Sequence, residues 1–294
     1  DKWVGDKNIL NFLANYYNQA ISLKKEVVVA VKEGQMNHDS AVLDYERGGP
    51  GNVTPFYWLS DDTVSPSSWC YVEGMKYYTV TQEIHSLIDK VSKNGNLLLN
   101  ISPKPDGTIP QAQKDILLGM GDWLKKFGES IYSTRAWTVY GEGPTHMGGG
   151  AFTAPVRGTK QDIRFTRNVA NNTLYAIVLD WPGDGAQLNL QTLKSSRIDL
   201  SSLKKVELLG EQAGKYIALD THAQDKTGLK ITMPPQSPYS ASAYAIKLTF
   251  SGTIPTLTPD GYAKASAEKT GEGAEQAFDS NPKTKWYTKV NGAT

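Results

Sequence analysis

The sequence predicts an α/β chain: part of a (β/α)8-type barrel, followed by an antiparallel β-sandwich and a truncated further module. Three observations predict it. Up to residue 147, helical segments alternate with short β-branched or leucine-rich runs, as in a parallel sheet covered by helices. Near Gly148-Gly149-Gly150 the pattern changes to short alternating segments separated by Gly, Asn, Asp and Pro, as in an antiparallel sandwich. Past residue 252, Pro255 and Pro259 mark a linker, and 262–294 is too short for an independent domain. The expected division is therefore 1–147, 148–252, 253–261 and 262–294. A (β/α)8 barrel takes eight strands and about 250 residues. Only three or four strands precede the sandwich, so the first barrel half is expected ahead of Asp1.

Each element has a local reason. Over 8–25, Ile9, Leu10, Phe12, Leu13, Tyr16, Tyr17, Ala20 and Ile21 recur at helical spacing. The run Glu26-Val27-Val28-Val29-Ala30-Val31 reads as a strand buried on both faces, and Ala41-Val42-Leu43-Asp44-Tyr45 as a second. A helix is expected over 81–93, with Thr81 as its cap and Ile84, Leu87, Ile88 and Val91 on one face. Asn96-Leu97-Leu98-Leu99-Asn100-Ile101 is the next strand, and a helix over 110–127 carries Ile116, Leu117, Met120, Trp123, Leu124 and Phe127. Sandwich strands are expected over 162–166, 173–181, 205–209, 229–233 and 242–250.

Composition excludes more than it selects. Lys plus Arg total 31 and Asp plus Glu 30, so no net field draws the chain to nucleic acid or an anionic membrane. No apolar run approaches the roughly 20 residues that cross a bilayer, so membrane insertion is not expected. One cysteine, Cys70, rules out internal disulfides and cysteine-rich metal sites. The aromatic set leans on Tyr and Trp, which suits sugar faces and equally suits β-rich folds.

The residues that carry chemistry follow the second strand. In Asp44-Tyr45-Glu46-Arg47-Gly48, Glu46 lies just beyond a predicted parallel strand, where barrel enzymes keep their catalytic groups. It reads either as a catalytic acid or as a surface glutamate paired with Arg47 or Lys32. Tyr57-Trp58-Leu59-Ser60-Asp61-Asp62 and Ser67-Ser68-Trp69-Cys70-Tyr71 read as an aromatic and acidic loop region. Trp58 and Trp69 suit stacking on sugar C–H faces, and equally suit lids over the rim.

The run Ser92-Lys93-Asn94-Gly95-Asn96-Leu97-Leu98-Leu99-Asn100-Ile101-Ser102-Pro103-Lys104-Pro105-Asp106-Gly107-Thr108-Ile109-Pro110 resembles a signature of the family 29 α-L-fucosidases. The resemblance continues through Gly121-Asp122-Trp123-Leu124 and Glu129-Ser130-Ile131-Tyr132-Ser133-Thr134-Arg135, and takes in Asp44-Tyr45-Glu46-Arg47-Gly48, Tyr57-Trp58 and Ser68-Trp69-Cys70-Tyr71. Cys70 is a departure, since relatives usually carry Gly there. The run itself is structural: its leucines fill interior and helix interface, and Asn100 at the strand end can hydrogen-bond near a site floor.

The resemblance implies a retaining exo-glycosidase that removes terminal α-L-fucose from oligosaccharides or glycoproteins, with no cofactor. Such enzymes hold two carboxyl groups about 5–5.5 Å apart, one nucleophile and one acid/base. Glu46 matches the acid/base. The nucleophilic aspartate lies shortly before the first helix, so it is Asp1 or a residue upstream. Histidines holding fucose hydroxyls belong to the first barrel half, and His38, His85, His146 and His222 match none of them. The tail, from Tyr262-Ala263-Lys264-Ala265-Ser266 to Phe278-Asp279-Ser280-Asn281-Pro282-Lys283-Thr284-Lys285-Trp286, resembles the opening of a discoidin-like jelly-roll module. That resemblance implies a structural calcium on Asp279, Asn281 and Thr284, and sugar-binding loops beyond Thr294. The implied location is extracellular or at a bacterial cell surface. A non-catalytic carbohydrate-binding or adhesin fragment is the alternative, and another retaining glycosidase on a similar barrel is a third.

Overall fold

The computed structural model describes residues 5–32, 36 and 38–258. The first half is one parallel sheet with helices. Helix α1 spans Asp6–Ser22, followed by strands β1 (Ala30–Lys32), β2 (Val42–Glu46) and β3 (Trp58–Thr63). Helix α2 (Val80–Ser92), strand β4 (Gly95–Asn100) and helix α3 (Gln111–Phe127) complete it. The strands lie in the order β1-β2-β3-β4, every pair parallel.

The register determines the two faces. Lys32 stands opposite Asp44, Glu46 opposite Asp61, and Asp61 opposite Leu98. Side chains alternate along a strand, so Lys32, Asp44, Glu46, Asp61 and Leu98 share one face. Val31, Tyr45, Trp58, Ser60 and Asp62 share the other and are buried. On that second face Leu97 and Leu99 pack against the core containing Ile84 and Ile88 of α2. The first face is open among the described residues, and Leu98 is 57% exposed there.

Several expectations are corrected. Only Ala30–Lys32 joins the ladder at the sheet edge, and Val28 is exposed, so the valine run is not a strand buried on both faces. The cap of α2 is Thr79, not Thr81. The Thr79 hydroxyl accepts from the Gln82 N–H while the Gln82 side chain accepts from the Thr79 N–H, a reciprocal box that caps the helix ahead of the expected position. Thr81 instead hydrogen-bonds Ser242 across the molecule. Strand β3 stands where the sequence predicts a loop, because Ser60, Asp61 and Asp62 interrupt its apolar pattern. Its buried Asp62 carboxylate is paired with Lys90 of α2 at 3.1 Å, which offsets the cost of desolvating an anion inside a sheet.

The second half holds two antiparallel sheets, consistent with a β-sandwich. Strands β5 (Thr134–Glu142), β6 (Ile163–Asn168), β7 (Thr173–Val178), β8 (Gln187–Leu190), β9 (Leu203–Leu209), β10 (Tyr216–Ala218), β11 (His222–Asp225), β12 (Gly228–Thr232) and β13 (Tyr244–Phe250) follow in chain order. They form a six-stranded sheet, β10-β9-β13-β7-β6-β5, and a three-stranded one, β11-β12-β8. All six residues of β7 are buried, as suits a central strand. The start of the expected linker packs down rather than hanging free: Ile254 and Leu257 are buried in the core, and the Ile254 N–H donates to Asn171 O at 2.7 Å.

A buried ionic joint ties the halves together. The Asp89 carboxylate of α2 receives Lys93 at 2.6 Å and Arg164 of β6 at 2.7 Å. Lys93 also donates to Met147 O and Arg164 to Thr145 O, so every charge in the joint has a partner. The expected module over 262–294 lies outside the described residues.

Candidate active site

Four charged side chains converge where β1, β2 and β3 end on the open face. Lys32 Nζ lies 2.7 Å from Asp61 Oδ2, 3.1 Å from Asp44 Oδ2 and 3.7 Å from Glu46 Oε2. Burial pulls the Lys32 ammonium down, but its hydrogen bonds to Asp61 and Asp44 more than offset this and hold its pKa above the usual lysine value. The two aspartates thus hold the ammonium at closer range than Glu46 does. Asp44 Oδ1 also accepts the Asp61 N–H at 3.0 Å, while Asp61 Oδ1 is buried without a hydrogen-bond partner among the described residues. The Glu46 side chain is 33% exposed, so solvent reaches its carboxyl group.

The backbone around Glu46 is held from both directions in sequence. Arg47 has φ +51°, and its N–H donates to Asp61 O at 2.9 Å. Next come Gly48 and Gly49, with φ +141° and +146°, a region that side chains rarely adopt. A Cβ at Gly48 would stand 2.3 Å from Thr153 Oγ1, and one at Gly49 would stand 2.3 Å from the Trp58 ring. The Trp58 ring takes the space at Gly49, and the space at Gly48 is taken by a strap at 148–153. Its Phe152 N–H donates to Glu46 O at 2.7 Å, its Thr153 N–H to Arg47 O at 2.6 Å, and Gly49 N–H to Gly150 O at 3.0 Å. The triple glycine read as a mere change of pattern therefore begins the clamp on the Glu46 loop.

Trp69 stands at the rim. The Arg47 guanidinium lies over its ring, 4.8 Å from the centroid, and donates to Ser65 O and Pro66 O. Asn100, at the end of β4, donates to Trp69 O at 2.9 Å, and so does the Ser102 hydroxyl. The half-buried Trp69 is thus fixed by its backbone while part of its side chain stays accessible.

Trp58 is a correction. It is 1% exposed on the helix-facing side of β3, its indole N–H donates to Lys93 O at 3.1 Å, and its ring lies against Gly49 and Gly95. It packs beneath the site and offers no face to a sugar. Strand alternation sends it to the opposite face from Asp61, which a loop reading cannot register. Asp1 and the proposed calcium ligands Asp279, Asn281 and Thr284 lie outside the described residues.

His85 is structural: Nδ1 accepts the Gly158 N–H at 2.9 Å, so Nε2 carries the proton and donates to Ser242 O at 2.7 Å. Burial lowers its pKa and keeps it neutral. The pairing of Glu46 with Lys32, weighed above as the surface alternative, is present at 3.7 Å. The sequence places Asp61 in an acidic loop region but shows neither its strand position beside Lys32 nor the strap. The alternation Asp44, Glu46 and the acidic Asp61-Asp62 pair were the available signals. Two concavities of about 570 Å³ lie elsewhere, one at Glu142, Gln161 and Asn189 and one at Tyr17, His38 and Phe56; Glu46 lines neither.

Comparison with known proteins bears on this geometry. Residues 2–129 match the family profile described as alpha-L-fucosidase, and 158–249 match the alpha-L-fucosidase C-terminal domain. Tissue alpha-L-fucosidase of Rattus norvegicus is 30% identical over 251 residues, covering 82% of this chain and 48% of that protein. The Homo sapiens tissue enzyme is 32% identical over the same length and the same shares of each chain. The chain therefore spans about half the length of these relatives. The Thermotoga maritima alpha-fucosidase structure has a TM-score of 0.56 at 25% identity, covering 83% of this chain and 49% of that one. A second structure of that protein, in complex with fucose, has a TM-score of 0.55 at 25% identity with the same coverage. With both family profiles matched in order, and with the Glu46 loop and the Leu97-Leu98-Leu99 strand inside the first of them, the chain belongs to the α-L-fucosidase family.

Proposed function

We propose that this chain is the carboxyl-terminal part of a retaining exo-glycosidase that hydrolyses terminal α-L-fucosyl linkages in oligosaccharides or glycoproteins, with Glu46 as general acid/base. The four-stranded sheet is then the second half of a (β/α)8 barrel, and activity requires the first half. The observation that carries the reading is the placement of Glu46. It stands at the carboxyl end of a parallel strand, partly exposed on the open face, with its backbone clamped by the 148–153 strap.

In this mechanism an aspartate at or just before Asp1 attacks the anomeric carbon while Glu46 gives its proton to the departing glycosidic oxygen. Glu46, now a carboxylate, takes a proton from water as that water attacks the fucosyl-enzyme, and both groups return to their starting states. Trp69 borders the substrate at the rim, held by Asn100 and Arg47. An extracellular or bacterial cell-surface location belongs to the same reading, since fucosylated glycans are found there.

The test is Glu46→Gln in the protein carrying the whole barrel. Hydrolysis of a fucosyl disaccharide, whose leaving group needs a proton, should fall by about 10²–10⁴-fold. Fucosyl fluoride needs no such proton and should be hit far less in its first step. Full turnover of the disaccharide by Glu46→Gln would end the assignment.

A further inference from the structure

We propose that Phe152, carried on the strap from the sheet-rich half, forms an apolar platform for the first sugar of the leaving group. This inference rests on the α-L-fucosidase reading of Glu46 and names the part of the substrate that the strap recognises. Phe152 is 70% exposed and has φ +58°, a backbone conformation costly for a bulky side chain. The residue thus bears a backbone cost while most of its ring lies outside the core, and among the described residues no ring stacks on it. Residues held in such strained conformations cluster at ligand clamps.

Its position supplies the ligand. The Phe152 N–H donates to Glu46 O at 2.7 Å and the next residue's N–H to Arg47 O at 2.6 Å, so Phe152 stands beside Glu46 along the rim. A general acid must come within hydrogen-bonding distance of the atom it protonates. The glycosidic oxygen, and the sugar attached to it, therefore lies at the Glu46 carboxyl. The rim around Glu46 then carries two aromatic residues: Trp69, reached through the Arg47 guanidinium, and Phe152, reached through the strap. Pyranose rings present C–H faces that pack on aromatic rings, whereas fluoride or another small leaving group has none. Phe152 is accordingly a residue for leaving-group preference, not for the chemistry of the fucosyl unit.

The experiment compares two substrates, a fucosyl disaccharide and fucosyl fluoride, in the whole-barrel protein and its Phe152→Ala and Phe152→Trp variants. The expected result is a roughly tenfold fall in the disaccharide-to-fluoride ratio of kcat/KM for Phe152→Ala, seen mainly in KM. Phe152→Trp should restore the ratio. An unchanged ratio overturns the proposal. So does an equal loss on both substrates with a lowered Tm, which would mean that Phe152 is covered by the protein's own residues and acts in packing. A parent protein that cleaves neither substrate overturns the fucosidase reading and this inference with it, whereas fluoride cleavage with an unmoved ratio overturns only the inference.

Discussion

Replacing Gly49 by Ala tests whether close packing positions the Glu46 loop. The added Cβ would meet Trp58 Cη2 at 2.3 Å and Cζ3 at 2.4 Å, where ordinary contact begins near 3.4 Å. The indole has no room to retreat. Its N–H is bound to Lys93 O, and on its other flank a Cβ at Gly95 would already stand 2.3 Å from the ring. Two costs add. Forcing a non-glycine residue to φ +146° costs roughly 1–3 kcal/mol, and overpacking a filled site costs another 1–3 kcal/mol or so. A loss of about 2–6 kcal/mol in unfolding free energy is therefore expected, read as a lowered urea midpoint at unchanged m-value. Gly51→Ala is the internal control, because its Cβ would meet nothing closer than 3.5 Å; its effect should stay within about 0.5 kcal/mol. Equal stability of Gly49→Ala and Gly51→Ala would refute the claim that Trp58 and the glycine loop are locked together. Loss of fucoside hydrolysis in Gly49→Ala beyond its loss of stability would show that Trp58 shapes the site from beneath.

Two further outcomes follow from the buried charges. Asp89→Ala leaves Lys93 and Arg164 buried without their anion, and should cost about 3–5 kcal/mol by denaturant unfolding; a loss under about 1 kcal/mol would show that the joint does not hold the halves together. Glu83 is fully buried with neither carboxyl oxygen hydrogen-bonded among the described residues. Burial, and then repulsion from Asp62 against partial relief from Lys90, pushes its pKa from 4.5 to about 8. Between these two values the unfolded chain has lost the proton that the folded chain keeps. Stability from this group is therefore greatest below pH 4.5, falls as pH rises toward about 8, and is flat above, a total on the order of 5 kcal/mol. Glu83→Gln should remove that slope and raise the Tm at pH 8; an identical pH profile in the variant would show that Glu83 is ionised in the fold.

The helices were legible because their cause is local. Ile84 and Ile88 recur on one face of α2, and Ile116, Met120 and Trp123 on one face of α3, and all are buried. The strand run Asn96 to Asn100 was legible for the same reason, as was Glu46 at the end of β2. Strand β3 was not legible. Its buried polar residues look like a loop until Lys90, 28 residues away, is seen to neutralise Asp62.

The sequence by itself determined the alternation of helix and strand, the order of the two halves, and the glutamate at a strand end within a family-specific pattern. Only the tertiary structure decided that Trp58 lies under the sheet, that Lys32 gathers Asp44, Asp61 and Glu46, and that a strap more than a hundred residues downstream holds the Glu46 loop. The reason is physical. Periodicity records which residues share a face, but not what covers that face. The contacts that position Glu46 are backbone hydrogen bonds and glycine gaps between distant segments, which leave no periodic trace in either segment alone.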